Sequence, residues 1–210
     1  RLAEDEKMVC LSCARKLPIT DDCLSPYDNI TARMLWGRMP IERATALTYY
    51  HPGAYSSLLM YKLKYGNEPD IGVWFGEYMA NSLMPYGVFD DIDMVIPLPI
   101  HKRRERERGY NQSQEIARGI GDISSIKVQN NIVERSRYTV SQTKLTHTDR
   151  TKNVKGAFTL LRPDAIRGKH VLLVDDIITT GATIAACANE LAKAEDVKIS
   201  IMTVGRTHYI

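Results

Sequence analysis

The stretch that decides the fold reads Val171-Leu172-Leu173-Val174-Asp175-Asp176-Ile177-Ile178-Thr179-Thr180-Gly181-Ala182-Thr183. Four apolar residues are followed by two acids, two further apolar residues and a loop rich in hydroxyl groups. A β-forming run that is apolar throughout is typical of a strand buried on both faces of a sheet. The stretch therefore predicts a parallel strand that brings Asp175 and Asp176 to the carboxyl edge of the sheet.

The second half of the stretch has the properties of a phosphate site. It offers backbone N–H groups, three hydroxyls and a glycine able to adopt positive φ, at a helix N-terminus whose dipole favours an anion. The residues concerned are Thr179, Thr180, Gly181, Ala182 and Thr183. The apolar residues that follow recur at helical spacing and predict a helix packed onto the sheet; they are Ile184, Cys187, Ala188, Leu191 and Ala192.

The two adjacent carboxylates have two possible uses. They can accept hydrogen bonds from the vicinal hydroxyls of a ribose, or they can help to hold a metal ion. An isolated Asp-Thr-Gly fragment would be explained better by a strand-ending turn and a helix N-cap. The whole stretch, with its buried strand, paired acids and hydroxyl-rich turn, instead favours a phosphorylated sugar. It is not a P-loop, because the chain has no Gly-x-x-x-x-Gly-Lys sequence.

Apolar strands alternate with helices on both sides of this stretch. Strands are predicted over Ala44–Tyr50, 94–96, 127–133 and 197–204, and helices over 58–65, 73–83, 112–120 and 183–194. Such alternation predicts an α/β fold with a mostly parallel sheet, whose ligands bind beyond the carboxyl ends of the strands. The aromatic residues Trp74, Phe75 and Tyr78 are expected in the core.

Composition excludes several classes of protein. The 210 residues are 44% hydrophobic and 25% charged, as in an average globular domain. The longest apolar stretches fall far short of the ~20 residues that cross a bilayer, and no charged-then-apolar leader is seen, so neither membrane insertion nor secretion is expected. Four unevenly spaced cysteines do not form a secreted disulfide scaffold, which favours a reducing cytoplasm. The net charge of +3 identifies no partner.

A charged segment follows the predicted strand at 94–96. Residues 101–108, His-Lys-Arg-Arg-Glu-Arg-Glu-Arg, contain five formally positive residues and two acids. Three interpretations remain open for this segment: a solvated charged turn, a contact with a pyrophosphate, or a contact with nucleic-acid phosphates, which require positive charge but no base-reading geometry.

Three ordered blocks of the sequence carry a family resemblance. The segment 171–183 is similar to the 5-phosphoribosyl-1-pyrophosphate (PRPP) signature of type I phosphoribosyltransferases. Residues 95–101 and 108–112, and then Gln142 with Arg150 and 153–158, resemble the ComF family of bacterial phosphoribosyltransferase-like proteins linked to competence for DNA uptake. The resemblance implies the type I phosphoribosyltransferase fold, with a mostly parallel sheet, flanking helices and a small hood.

The resemblance also implies roles for individual residues. PRPP, with Mg²⁺, would contact Asp175, Asp176 and the 179–183 turn. The loop after the first core strand, with Pro99, His101 and Lys102, would meet the pyrophosphate. A lid over 136–155 would contribute Gln142 and Arg150, and the catalytic residues would be Asp175, Asp176 and Arg150.

Two functions follow from these roles. In the first, the 5-phosphoribosyl group passes to an unknown acceptor with release of pyrophosphate. The alternative is a non-catalytic module that senses PRPP or a nucleotide and binds DNA or competence proteins.

The N-terminal region resembles part of a metal site. Cys10 and Cys13, followed by Leu17-Pro18, are similar to the second knuckle of the four-cysteine zinc ribbon of ComF proteins, whose first pair would lie before Arg1. Zn²⁺ binding is expected only if that first pair exists, because tetrahedral zinc needs four ligands. The predicted organisation is a partial zinc-ribbon-like appendage over 1–26, a hood over 27–90 and a phosphoribosyltransferase core over 91–210.

Overall fold

A parallel four-stranded sheet forms the centre of the molecule. The computed structural model describes residues 8–137 and 156–207. The strands lie in the order β1, β6, β5, β2, with every neighbouring pair parallel. Their bounds are β1 Ala44–Tyr50, β2 Met94–Pro97, β5 His170–Ile178 and β6 Lys198–Thr207, while β3 Val133–Arg135 and β4 Phe158–Leu160 form a separate antiparallel pair. The predicted α/β fold with a mostly parallel sheet is confirmed.

Helices cover both faces of this sheet. They are α1 Leu11–Ala14, α2 Ile30–Leu35, α3 Tyr55–Tyr65, α4 Asp70–Leu83, α5 Lys102–Arg108, α6 Gln112–Ser124 and α7 Ala182–Leu191. On one face, Leu172 and Val174 belong to a core formed with α3, α4 and α6. On the other face, Val171 and Leu173 belong to a core formed with α2 and α7. Burial on two faces explains why β5 is apolar at consecutive positions.

Two predicted segments differ from the structure. The strand predicted over 127–133 is reduced to a single parallel bridge between Val128 and Val95, and β3 begins only at Val133. The charged segment after β2 was predicted as a loop but forms α5, which Gly109 ends at φ +84°. Arginine and glutamate are good helix formers, and Arg103 and Glu107 form an i,i+4 ion pair at 2.9 Å.

Residues predicted to belong to the hood are integrated into the main packing. Strand β1 pairs with β6, with Ala44 opposite Ile201 and Tyr50 opposite Thr207. The apolar sequence of β1 suits this position, because its first five residues are buried within the sheet. The division of the chain at residues 26 and 90 stays a prediction.

Helices α4 and α6 cross at two glycines. A Cβ atom at Gly76 would lie 2.1 Å from the carbonyl oxygen of Ile116, and one at Gly119 would lie 2.1 Å from that of Val73. Only glycine permits the two backbones to approach this closely. The crossing fixes α6 against the core, with Phe75 fully buried nearby, and so sets where α6 begins.

Within the described part of the chain, no helix is long and apolar enough to span a membrane.

Candidate functional site

The two adjacent carboxyl groups of β5 each accept hydrogen bonds from the protein through the Oδ1 atom. Asp175 Oδ1 accepts hydrogen bonds from the Ser113 hydroxyl at 3.0 Å and from the backbone N–H of Asp176 at 2.8 Å. Asp176 Oδ1 accepts from the backbone N–H of Ile177 at 2.6 Å. Because both carboxyl groups are tied to the end of β5, their orientation is fixed at the carboxyl edge of the sheet, as predicted.

A lysine from α3 completes this group. Lys64 Nζ lies 3.0 Å from Asp176 Oδ2, and less than a quarter of either side chain is exposed. Burial lowers the pKa of Lys64, but the charge of Asp176, the hydrogen bond with it and the charge of Asp175 together raise that pKa above its ordinary value. Lys64 is therefore an ammonium ion at neutral pH.

Asp175 is the most perturbed acid of the site. Burial, followed by the negative charge of Asp176, raises the pKa of Asp175 to about 7. The N–H of Asp176, the charge of Lys64 and the hydroxyl of Ser113 act in the opposite direction. A carboxyl group in this state is sensitive to any charged or hydrogen-bonding ligand placed beside it.

The predicted phosphate turn follows directly after β5. Gly181 has φ +73° and ψ −2° and is the N-cap residue of α7. Arg38 donates a hydrogen bond to the Thr180 carbonyl, and Thr180 Oγ1 accepts from the N–H of Ala182 at 3.4 Å. The first N–H groups of a helix have no carbonyl partner within it, and the helix dipole favours an anion there. The turn and the first two helical residues, Ala182 and Thr183, thus have the geometry of a phosphate cradle.

The start of α6 connects β2 to the carboxyl pair. Asn111 caps this helix by accepting from the N–H of Ser113 at 3.1 Å, and its side-chain amide donates to the carbonyl of Leu98 at 3.1 Å. Pro99 is the next residue and is half-buried. Through Asn111 the loop after β2 positions Ser113, the hydroxyl that binds Asp175.

The predicted pyrophosphate contacts lie at the start of α5. His101 caps this helix, with Nδ1 accepting from the N–H of Arg103 at 3.1 Å, and Lys102 is exposed. The half-buried cations of the helix are Arg104 and Arg108, which are four residues apart and therefore share one face.

The charges of these arginines act on other groups around the site. Arg108 opposes the raised pKa of Lys64. Burial, and then the charge of Arg104, lowers the pKa of Arg135 on β3, which Asp175 acts to raise. Arg104, Arg108 and Arg135 thus form the cationic surroundings of the carboxyl pair, together with Lys64.

Some predicted residues lie elsewhere, and some site residues were not predicted. Gln142 and Arg150 lie outside the described residues, as does all of the predicted lid except Ser136 and Arg137. Lys64, Ser113, Arg104, Arg108 and Arg135 complete the site but were absent from the sequence-based set. Asn111 was a usable signal for Ser113, since an asparagine before a helical pattern marks a helix start.

Metal ligands are sparse in the described ranges. No group of three His, Cys, Asp or Glu side chains there has a geometry suited to a metal ion. Cys13 forms a hydrogen bond with Tyr55 and thereby raises the pKa of that phenol to about 12, with burial as the second cause. None of Cys10, Cys13, Cys23 and Cys187 forms a disulfide bond. The zinc half-site of Cys10 and Cys13 remains a prediction.

Comparisons with known proteins agree with this architecture. A model of the phosphoribosyl transferase domain matches residues 105–207. The DNA utilization protein YhgH of Escherichia coli O157:H7 is 27% identical over 210 residues, covering 99% of this chain and 88% of that protein. Competence protein F of Haemophilus influenzae is 37% identical over 102 residues, covering 48% and 43%. Competence protein ComFC of Bacillus subtilis is 31% identical over 110 residues, covering 50% and 41%.

The glutamine PRPP amidotransferase of Bacillus subtilis, complexed with ADP and GMP, is similar over 67% of this chain and 30% of that chain, with a TM-score of 0.44 and 19% identity.

A parallel sheet flanked by helices and a matching phosphoribosyl transferase domain define a protein with the type I phosphoribosyltransferase fold. More particularly, the relatives named DNA utilization protein YhgH, Competence protein F and Competence protein ComFC support a ComF-family, phosphoribosyltransferase-like protein. Both the fold and the family predicted from the sequence are confirmed.

Proposed function

We propose that the protein binds PRPP and transfers its 5-phosphoribosyl group to an acceptor, with release of pyrophosphate. One observation carries this proposal: the paired carboxylates Asp175 and Asp176 lie near the carboxyl end of a buried strand, and the turn at Thr179–Thr183, which follows that strand, leads into the next helix. A ribose 5-phosphate presents a vicinal diol and a phosphate, which are the ligands that these two features suit.

The proposed reaction requires no nucleophile from the protein. The lone pair of an acceptor nitrogen forms a bond to C1 of the ribose. The bond from C1 to the pyrophosphate oxygen breaks, its electron pair leaves with the pyrophosphate, and the proton of the acceptor passes to solvent. The protein then acts by holding the reactants in position and by stabilising the charge of the leaving group. Arg104, Arg108 and Arg135 are the described cations to which we assign that second task.

Magnesium is proposed to arrive on the substrate. Mg²⁺ keeps several waters and is usually bound through one or two carboxylates together with substrate phosphates. The described residues do not form a protein cage for it, and Asp176 Oδ2 already contacts the ammonium of Lys64. When bound, Mg²⁺ would neutralise the pyrophosphate. Asp175 and Asp176 are therefore assigned to the ribose hydroxyls.

Three further expectations belong to the same proposal. Gln142 and Arg150 would contact the pyrophosphate from a closing lid, which would exclude water from the site. Cys10 and Cys13 would need two more ligands to hold Zn²⁺. The four cysteines, none of which forms a disulfide bond, agree with a reducing cytoplasm as the place of action.

The proposal is tested by binding first and turnover second. Calorimetry with PRPP and Mg²⁺ should show saturable binding that is lost in the double variant Asp175→Asn/Asp176→Asn and retained in Asp122→Asn, an exposed acid on α6. A screen for pyrophosphate release across bases and amines then searches for the acceptor. Unchanged PRPP affinity in the double variant would show that the carboxylates do not bind the ribose.

A second candidate is a non-catalytic module that senses PRPP or a nucleotide and binds DNA or competence proteins. Two observations favour it: relatives carry the names DNA utilization protein and competence protein, and α5 exposes Lys102, Arg103 and Arg106. Phosphate contacts make DNA affinity fall steeply with salt. PRPP binding without turnover, combined with salt-dependent DNA binding that Lys102→Ala/Arg106→Ala weakens, would favour this candidate.

A further inference from the structure

Lys64 is the one charged side chain of α3 that lies within the carboxyl site. Lys62, two residues earlier on the same helix, pairs instead with Glu68 at 3.2 Å, and 46% of the Lys62 side chain is exposed. Lys64 is 23% exposed and lies 3.0 Å from Asp176 Oδ2. Two lysines of the same helix therefore have different environments, and only Lys64 faces the site.

The hydrogen bonds of the two carboxyl groups define which oxygens remain for a ligand. Asp175 Oδ1 has both lone-pair sites filled, by the Ser113 hydroxyl and Asp176 N–H, and Asp176 Oδ1 has one filled, by Ile177 N–H. The two Oδ2 atoms are the acceptors assigned to a diol. A carboxylate oxygen has two lone-pair sites, so Asp176 Oδ2 can accept from a hydroxyl while it contacts Lys64.

The electrostatic surroundings give Lys64 a second effect on the pair. Adjacent carboxylates repel each other, and both must be available as acceptors if each is to bind one hydroxyl. Lys64 is the cation in direct contact with the pair, while the charge of Arg108 acts on Lys64 and the charges of Arg135 and Asp175 act on each other. The ammonium of Lys64 both offsets the repulsion and restrains rotation of the Asp176 carboxyl group.

We infer that Lys64 is a positioning residue for a vicinal diol: by holding Asp176 Oδ2, it lets Asp175 and Asp176 bind neighbouring hydroxyls of a ribose together. This inference rests on the proposed function and deepens it, because it names the residue that lets the site distinguish ribose from 2-deoxyribose. Lys64 acts through Asp176 and has no part in binding the 5-phosphate, which the turn at Thr179–Thr183 holds.

The test compares three probes on the full chain: ribose 5-phosphate, 2-deoxyribose 5-phosphate and inorganic phosphate, each titrated by calorimetry. A hydrogen bond to a charged group corresponds to about a tenfold difference in affinity, so the wild type should prefer ribose 5-phosphate by about that factor. Lys64→Met should reduce the preference to less than about threefold by the same reasoning, with phosphate affinity unchanged. Lys64→Arg should restore most of it.

Lys62→Met is the matched control, because it removes the same charge from the same helix and should leave the preference intact. Thermal unfolding is measured for every variant, and Lys64→Gln replaces Lys64→Met if the latter fails to fold. A Lys64→Met protein that still prefers ribose overturns the inference. So does a variant that loses ribose 5-phosphate and inorganic phosphate equally, since Lys64 would then only support the pocket.

The ribose assignment in the proposed function and the role inferred for Lys64 predict different failures in this experiment. If the wild type binds inorganic phosphate but shows no preference for ribose, the ribose assignment in the proposed function is wrong and this inference falls with it. If the wild type shows the preference and Lys64→Met retains it, only the inference about Lys64 is wrong.

Discussion

Two ion pairs lie near the carboxyl edge of the sheet and differ in their access to water. Lys64 and Asp176 are partly exposed at the end of β5. Arg206, near the end of the neighbouring strand β6, lies 3.4 Å from Asp22, and their side chains are 0% and 1% exposed. Arg206 also lies over the ring of Tyr49, 4.6 Å from its centroid. The first pair can meet a ligand and the second cannot.

The partners of Asp22 show what the buried pair does instead. Its Oδ2 atom accepts hydrogen bonds from the Thr31 hydroxyl and from the N–H of Ala46 at 3.1 Å. These contacts join the N-terminal region, α2, β1 and β6. Removing two charges from water costs free energy. A buried ion pair therefore contributes more to the relative orientation of the elements that it joins than to net stability. The buried pair Asp22–Arg206 thus holds these elements together, while the accessible pair Lys64–Asp176 can contact a ligand.

The largest effect is expected where the buried pair is broken. Asp22→Ala leaves the guanidinium of Arg206 without its charge partner, which costs about 3–5 kcal/mol. For a chain of this size each kcal/mol corresponds to about 2–4 °C, so the thermal midpoint should fall by roughly 6–20 °C. Calorimetric or circular-dichroism melting checks this. A fall of less than about 2 °C, which corresponds to less than about 1 kcal/mol, would show that the pair Asp22–Arg206 does not hold these elements together.

A smaller effect on stability, but a specific one on binding, is expected at the phosphate turn. Gly181→Val forces a side chain into a left-handed conformation at about 1–2 kcal/mol, and its Cβ would lie 2.8 Å from Leu35 Cδ2. Phosphate affinity should be lost. Gly168→Val is the matched control, because Gly168 has φ +62° but open space around its Cβ position. Equal loss of phosphate affinity in both variants would contradict the assignment of the turn.

An effect of pH on thermal stability is expected at Asp175, the neighbour of the accessible ion pair Lys64–Asp176. Because its folded-state pKa of about 7 lies above the ordinary value, the folded protein binds the proton more tightly, and Asp175 makes stability fall as pH rises from about 4 to 7. Asp175→Asn removes this loss. The variant should match the wild type near pH 4 and melt at least about 2–4 °C higher at pH 8.

Asp122→Asn, at the exposed acid on α6, is the control for the effect of an Asp→Asn substitution in itself. A melting difference between Asp175→Asn and the wild type that is the same at pH 4 and pH 8 would be incompatible with the raised pKa.

The smallest effect is expected for an ion pair on the surface. Arg33 and Asp28 lie 2.7 Å apart, but more than half of each side chain is exposed. Arg33, chiefly through its hydrogen bond, lowers the pKa of Asp28. Exposed ion pairs contribute little to stability because water and salt screen them. Arg33→Ala should therefore have the same thermal midpoint as the wild type. A clear drop would indicate that proximity, and not burial, governs these pairs.

Local sequence patterns predicted the fold because they record burial. Val171–Val174 is apolar at every position since β5 is covered on two faces, and Ala44–Tyr50 is a strand with the bounds expected from its residues. The turn at Gly181 could be predicted from the sequence in the same way, because a backbone with positive φ favours glycine. The family resemblance, carried by three ordered blocks, gave the phosphoribosyltransferase fold.

Contacts between distant segments could not be predicted in the same way. Lys62 and Lys64 have the same chemistry in the same helix, and only the packing of α3 against α4 and β1, which brings Lys64 to Asp176, distinguishes them. The pair Asp22 and Arg206 joins opposite ends of the chain, and no local pattern relates the two residues. Segment 101–108 has the charge pattern of both a loop and an exposed helix, and its internal ion pair favours the helix.

The place of β6 in the sheet has a consequence for the order of folding. β1 pairs with β6, the last described strand, so Ala44 cannot pair with Ile201 until β6 has been synthesised. At roughly 5–20 residues per second, a ribosome delivers β6 on the order of ten seconds after β1, and such non-local pairing folds slowly. A chain that stops before Lys198 would contain every candidate ligand-binding residue and still lack the strand that joins β1 to β5. Assembly of the binding site is therefore among the last events of folding.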